Sequence, residues 1–233
     1  MAWLAAAAAA AAPLGAAAAS DAPPGARRMA NPDEARAWRA VGRLNLAGRG
    51  FCTATLVAPD LIATAAHCLR HPVSGRALAP ERLHFLLGHD RGRHAAYRRG
   101  RAALSPPGAS GRAEDVAVVV LDAAVDEAPP LALGPLSAAT SPLALTVGYG
   151  VDRPEALSIQ HGCRILARRG ALMRIGCAAP PGSSGAPLIA RGAAGPFLAG
   201  VIVARGPDGH ALAVAAEALA PLIARARAME AGR

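Results

Sequence analysis

Between residues 38 and 216 the chain alternates short apolar runs with breaks rich in Gly and Pro. The first half holds Val41–Leu46, Phe51–Val57, Leu61–Ala65, Leu83–Leu87 and Val116–Leu121. The second half holds Leu143–Val147, Leu157–Leu166, Leu172–Cys177, Ala186–Ala190, Phe197–Val203 and Ala211–Ala215. Runs this short, closed by turn residues, predict strands. A series of them predicts an all-β fold of two barrels or sandwiches. Pro129 and Pro130 interrupt the pattern, dividing the chain into a first β unit over 38–128 and a second over 129–216. Helical signal is confined to the tail, 217–233. There Pro221 suits a first turn, and a helix running to about Glu230 places Leu222, Ile223 and Met229 towards one side. The polar stretch 21–37 reads as a linker or short pro-segment, and the arginine-rich stretch Arg91–Arg101 as a solvated loop.

The N-terminus breaks this pattern. Residues 2–20 carry no charge and run through Ala and Leu to Ser20, followed by Asp21, Pro23, Pro24 and Gly25. The run has the apolar core and small-residue cleavage site of a secretory signal peptide, with cleavage near Ala19, although no basic residue precedes it. Pro13 and Gly15 oppose a stable spanning helix. Export to the periplasm or the medium is therefore expected. Four cysteines, at 52, 68, 163 and 177, suit an oxidising compartment. They fall as two local pairs in opposite halves, Cys52–Cys68 and Cys163–Cys177, and neither has CxxC metal spacing.

Composition adds less. Apolar residues make up 53% of the chain and aromatics only 3%. The formal charge is +9, and every basic residue is Arg. With the excess of Ala, Gly and Pro, this reflects GC-rich coding more than a cationic binding face. Few aromatics remain for base stacking, so no nucleic-acid partner is expected. A module that did bind nucleic acid would show steeply salt-dependent affinity.

Three motifs carry chemistry. Thr64-Ala65-Ala66-His67-Cys68 ends a β-type run in a His whose neighbour can tie back to Cys52, fixing a ring that could act as a general base. Asp115 heads the run Val116–Leu121, where a carboxylate can accept the His Nδ1–H and leave Nε2 free. Gly182-Ser183-Ser184-Gly185-Ala186-Pro187 allows a tight turn that aims the N–H groups of Gly182 and Ser184 at one spot and exposes Ser184 Oγ.

In the order His, Asp, Ser, these motifs resemble those of the trypsin/chymotrypsin-like serine proteases. The likeness covers roughly residues 38–216 and is nearest to the compact bacterial branch that includes glutamyl endopeptidases. It implies two six-stranded Greek-key β-barrels, a short C-terminal helix and a site in the cleft between the barrels. Ser184 would be the nucleophile, His67 the general acid/base and Asp115 its orienter, with Gly182 and Ser184 N–H as the oxyanion hole. The reaction would be peptide-bond cleavage through an acyl-enzyme. It needs no cofactor or metal, and a monomer acting on protein or peptide substrates is expected.

Several residues depart from the family pattern. Ser183 stands where digestive enzymes carry the Asp that pairs with a newly cut N-terminus, so activity independent of such a cut is expected. Ala178, six residues before Ser184, offers no counter-charge to a basic P1 side chain, and a small or apolar P1 is expected. Val203 replaces a Ser that supports the catalytic Asp. Arg205, on the same pocket-wall strand, would favour an acidic P1 if it faced the pocket. A catalytically weak relative acting by binding is the alternative reading. An α/β-hydrolase esterase is disfavoured, because that fold needs Gly-x-Ser-x-Gly and the order Ser, Asp, His. His84, His89 and His94 recur every five residues, which shares no face of a strand or helix, so they predict no metal site.

Overall fold

The computed structural model describes residues 25–48, 50–71, 73–107 and 111–232. The expected signal peptide, 1–20, lies outside them. Each apolar run expected to form a strand does so. The first barrel is built from β2 (Val41–Leu46), β3 (Phe51–Ala58), β4 (Leu61–Thr64), β5 (Leu83–Leu87), β6 (Ala96–Leu104) and β7 (Ala117–Leu121), closed in the order β2-β3-β4-β7-β6-β5. The second is built from β8 (Leu143–Gly150), β9 (Arg153–Arg169), β10 (Leu172–Ala178), β11 (Pro187–Gly192), β12 (Gly195–Arg205) and β13 (His210–Ala215). Pairing of β8 with both β9 and β11 closes this second antiparallel barrel.

Residues 91–95 form the exposed turn that was expected, but β6 corrects the expectation of a solvated loop for residues 96–101. Its inward positions are Ala96, Gly100 and Leu104, which give little hydrophobic signal, and its arginines face outward. Arg99 pairs with Asp122 at 3.5 Å and Arg98 with Glu127 at 3.7 Å. Gly100 is a close-approach position: a Cβ there would lie 2.5 Å from the Pro80 carbonyl oxygen.

From Gly25 on, the segment read as a linker or short pro-segment is folded onto the second barrel. A short strand, β1 (Arg27–Met29), pairs with β9. Asn31 caps α1 (Pro32–Ala37), accepting from the Glu34 N–H while the Glu34 carboxylate accepts from the Asn31 N–H. Arg28 forms a two-pronged pair with Glu34, at 2.7 and 2.6 Å. That hydrogen bonding holds the Glu34 carboxyl down at about 2. Ala30, Ala35 and Trp38 pack on buried Val41, Tyr149, Leu157 and Ile159. Arg27 and Arg28 are thus both in β1 and both ion-paired, Arg27 with Asp152.

The C-terminal helix α2 (Ala220–Ala231) returns to the first barrel. Leu222 and Ala226 are buried in the core that also holds Val119, Val201 and Val214. Arg227 pairs with Asp60 at 2.8 Å, and Arg101 with Glu230. Met229, expected to lie towards the same side as Leu222 and Ile223, is 45% exposed, because the buried side follows the four-residue spacing of Leu222 and Ala226. Core residues of both barrels therefore meet: Leu198, Val201, Val203 and Val214 of the second pack in one cluster with the interior of the first.

Candidate active site

Strand pairing brings His67 and Asp115 together. β4 and β7 run antiparallel, with Thr64 opposite Ala117. The chain leaving Thr64 therefore passes beside the chain entering Ala117. A short 3-10 turn, Ala66–Leu69, presents His67 there. Asp115 Oδ2 lies 2.8 Å from His67 Nδ1, and Oδ1 accepts the His67 backbone N–H at 2.9 Å. One carboxylate thus grips both the ring and the backbone of the same residue, which fixes the ring and directs Nε2 away from Asp115. The Cys52–Cys68 disulfide anchors the residue after His67 to β3.

Cys52, His67 and Cys68 place their N and S atoms within 4.8 Å of one another. Both sulfurs are consumed in the disulfide, so this group lacks the thiolates that a metal site would need. The second disulfide, Cys163–Cys177, joins β9 to β10 inside the second barrel core.

Ser184 lies in the turn between β10 and β11. The turn is tied to both barrels. Ser184 O accepts the Thr53 N–H at 2.8 Å, and Gly185 N–H donates to Ile202 O at 2.7 Å. Thr53 adjoins Cys52, and Cys68 adjoins His67, so one hydrogen bond and one disulfide connect the Ser184 segment to the His67 segment. Gly182 has φ +93° and Gly185 φ +86°, backbone that favours glycine. Among the described residues, neither the Gly182 nor the Ser184 N–H donates a hydrogen bond within the chain, and none joins Ser184 Oγ to His67.

Ser183 is buried and its hydroxyl is spent locally, donating to Pro180 O at 2.7 Å, while its N–H donates to the same oxygen at 3.0 Å. The turn closes on its own residues at the position where an Asp would need an outside ammonium.

The expected pocket residues separate. Val203 is buried in the core shared with the first barrel. Ala178 and Arg205 are exposed. The Arg205 guanidinium lies over the Gly206–Gly209 turn, with Nη2 3.4 Å from where a Gly209 Cβ would sit. Sequence reading missed Gln160 on β9. This buried side chain accepts the Ala178 N–H at 3.0 Å and donates to Gly25 O, so it braces the strand end bearing Ala178. No local signal marks it, because its role depends on the β9–β10 pairing. A cavity of about 220 Å³ opens beside His67 and Asp115, lined also by Arg70, Ser105 and Arg112. A hollow of about 290 Å³ on the second barrel, lined by Leu136, Thr140, Ile165 and Ala190, contains none of the expected catalytic residues.

Comparison with known proteins agrees with this architecture. A solved structure of a Glu endopeptidase in complex with MPD superposes with a TM-score of 0.74 at 18% identity, covering 88% of this chain and 98% of that one. At that identity the likeness concerns the fold. No match was found among curated proteins. The family model of the trypsin-like peptidase domain matches residues 52–195, more than half of the chain. The two closed barrels and this match together make the chain a member of the trypsin-like peptidase family.

Proposed function

We propose that the protein is an exported serine endopeptidase working through Ser184, His67 and Asp115. The observation that carries this reading is the double grip of the Asp115 carboxylate on His67, which leaves Nε2 free to act as a base. His67 takes the Ser184 Oγ proton as Oγ attacks the substrate carbonyl. It then delivers that proton to the leaving amine, and water repeats the sequence on the acyl-enzyme. The uncommitted N–H groups of Gly182 and Ser184 receive the oxyanion. This reading requires Ser184 Oγ and His67 Nε2 to come within hydrogen-bond distance when substrate is bound.

Substrate choice follows from charge. Ala178 offers no carboxylate to a Lys or Arg side chain, so small or apolar P1 residues are preferred. Closure of Ser183 on Pro180 supports activity without a freed N-terminal ammonium. The two disulfides suit an oxidising compartment, and no described helix is long and apolar enough to cross a membrane. The protein is read as a monomer acting on proteins or peptides.

The test is pre-steady-state hydrolysis of p-nitrophenyl acetate, alongside degradation of unfolded casein. A burst of one p-nitrophenolate per chain, absent in Ser184→Ala, is expected, with casein cleavage lost in the same variant. A folded protein with no burst and no cleavage would overturn the enzyme reading in favour of a binding relative.

A further inference from the structure

Thr53, the third residue of β3, is fully buried and stands where the first barrel meets the Ser184 turn. Its N–H donates to Ser184 O at 2.8 Å. Its hydroxyl donates to Gly182 O at 3.1 Å and accepts the Tyr149 N–H at 3.0 Å. Its own carbonyl accepts the Thr64 hydroxyl at 2.9 Å, three residues before His67. Every polar atom of Thr53 is therefore engaged, and each bond reaches a segment that bears on the site.

The pattern of pinned carbonyls is informative. In a planar peptide unit the C=O and N–H point in opposite directions, so fixing one fixes the other. Thr53 holds the carbonyls of the 182–183 and 184–185 units, which flank the unit that carries the Ser184 N–H; that middle unit is itself pinned where Ser183 O accepts the Ala186 N–H at 2.9 Å. The unit that carries the Gly182 N–H is held by its own carbonyl, because Pro181 O accepts the Val151 N–H at 2.9 Å. Val151 lies two residues after Tyr149, whose N–H is bound to the Thr53 hydroxyl. One hydroxyl thus ties together the segment that aims the Gly182 N–H and the turn that aims the Ser184 N–H.

We infer that Thr53 is a positioning residue: its side-chain hydroxyl, acting from the first barrel, sets the Gly182–Ser184 turn in the orientation that the oxyanion and the nucleophile need. This rests on the triad reading of Ser184. It goes beyond that reading in assigning the alignment of the site to a side chain outside the three motifs.

The experiment measures saturable inactivation of the full, oxidised protein by a fluorophosphonate probe, with thermal unfolding of each variant. Thr53→Val keeps the volume but removes the hydroxyl; Thr53→Ser keeps the hydroxyl but loses a methyl. The maximal inactivation rate of the Val variant should fall about tenfold to a hundredfold, the cost of a slightly misplaced reacting group, with little change in probe affinity. The Ser variant should keep a rate within about threefold of wild type even though its missing methyl lowers its melting temperature. A residue that served only packing would give the reverse order. If the Val variant does not fold, Thr53→Cys, a weak donor of similar size, takes its place with the same expectation. A Val or Cys variant labelled at the wild-type rate would overturn the role of Thr53 and leave the triad reading intact. Wild-type protein that is folded but not labelled would overturn both.

Discussion

Gly185 offers the sharpest test of how the Ser184 turn is seated. It has φ +86°, and a Cβ built on it would lie 1.9 Å from Thr53 O and 2.3 Å from Thr64 Oγ1. The first of these is backbone in a barrel strand and cannot rotate aside. An L side chain in left-handed backbone costs about 1–2 kcal/mol. Forcing a methyl into filled space adds about 1–3 kcal/mol. Gly185→Ala should therefore destabilise by about 2–5 kcal/mol, a large share of the ~5–15 kcal/mol of a typical domain. Gly92 supplies the control. Its φ is +79°, and nothing lies within 4 Å of its Cβ position, so Gly92→Ala bears the backbone cost alone. Urea unfolding of both variants isolates the steric part as the difference between their midpoints at a common slope. The Gly185 variant should also lose probe labelling, since relief requires the Thr53–Ser184 hydrogen bond to open. Equal destabilisation by the two substitutions, with labelling retained, would refute the close docking of this turn on the first barrel.

Asp115→Asn should leave the fold intact but lower the turnover of ester or peptide by about 10⁴-fold, because an amide no longer selects the productive His67 tautomer; steady-state kinetics read this directly. Replacing Cys52 and Cys68 together by Ser should cost about 3 kcal/mol in the chain-entropy view of a loop this size, measured by denaturant unfolding, and should slow labelling more than the Cys163/Cys177 double variant does. Glu34 is held at about 2 by Arg28, below its ordinary value of 4.5, so its ion pair stabilises the fold fully above about pH 4.5 and loses that effect as pH falls towards 2. The stability gap between wild type and Glu34→Gln should accordingly be about 1 kcal/mol at pH 6, after allowance for solvent screening, and should shrink between pH 4.5 and 2 in a urea series; a gap independent of pH would contradict the pair.

Much of this was legible in the chain because the signals are local. Each apolar run became a strand, and the His67 and Asp115 motifs sit at strand ends that antiparallel pairing joins. β6 was hidden because Ala96 and Gly100 fill its inner face: small residues fit where the Pro80 backbone approaches, and they leave no hydrophobic alternation to read. Helix α1 did carry a sequence mark, the capping box of Asn31 and Glu34 around Pro32, but six residues are too few to show a period. Met229 was grouped with Leu222 and Ile223 on its apolar type alone, although the buried side of the helix runs through Leu222 and Ala226. Thr53 and Gln160 escaped for a deeper reason. Each acts through partners far away in sequence that become neighbours only in the folded barrels: Thr53 bonds Gly182, 129 residues on, and Gln160 bonds Gly25, 135 residues back. Such residues belong to no motif.

The most direct test of the central claim is intact-mass spectrometry of the mature, oxidised protein after exposure to a fluorophosphonate, beside Ser184→Ala and His67→Ala. The account predicts one adduct per chain on the wild type, none on the Ser184 variant and strongly slowed labelling of the His67 variant. A wild type with both disulfides formed and no adduct, or an adduct that survives in Ser184→Ala, would contradict it.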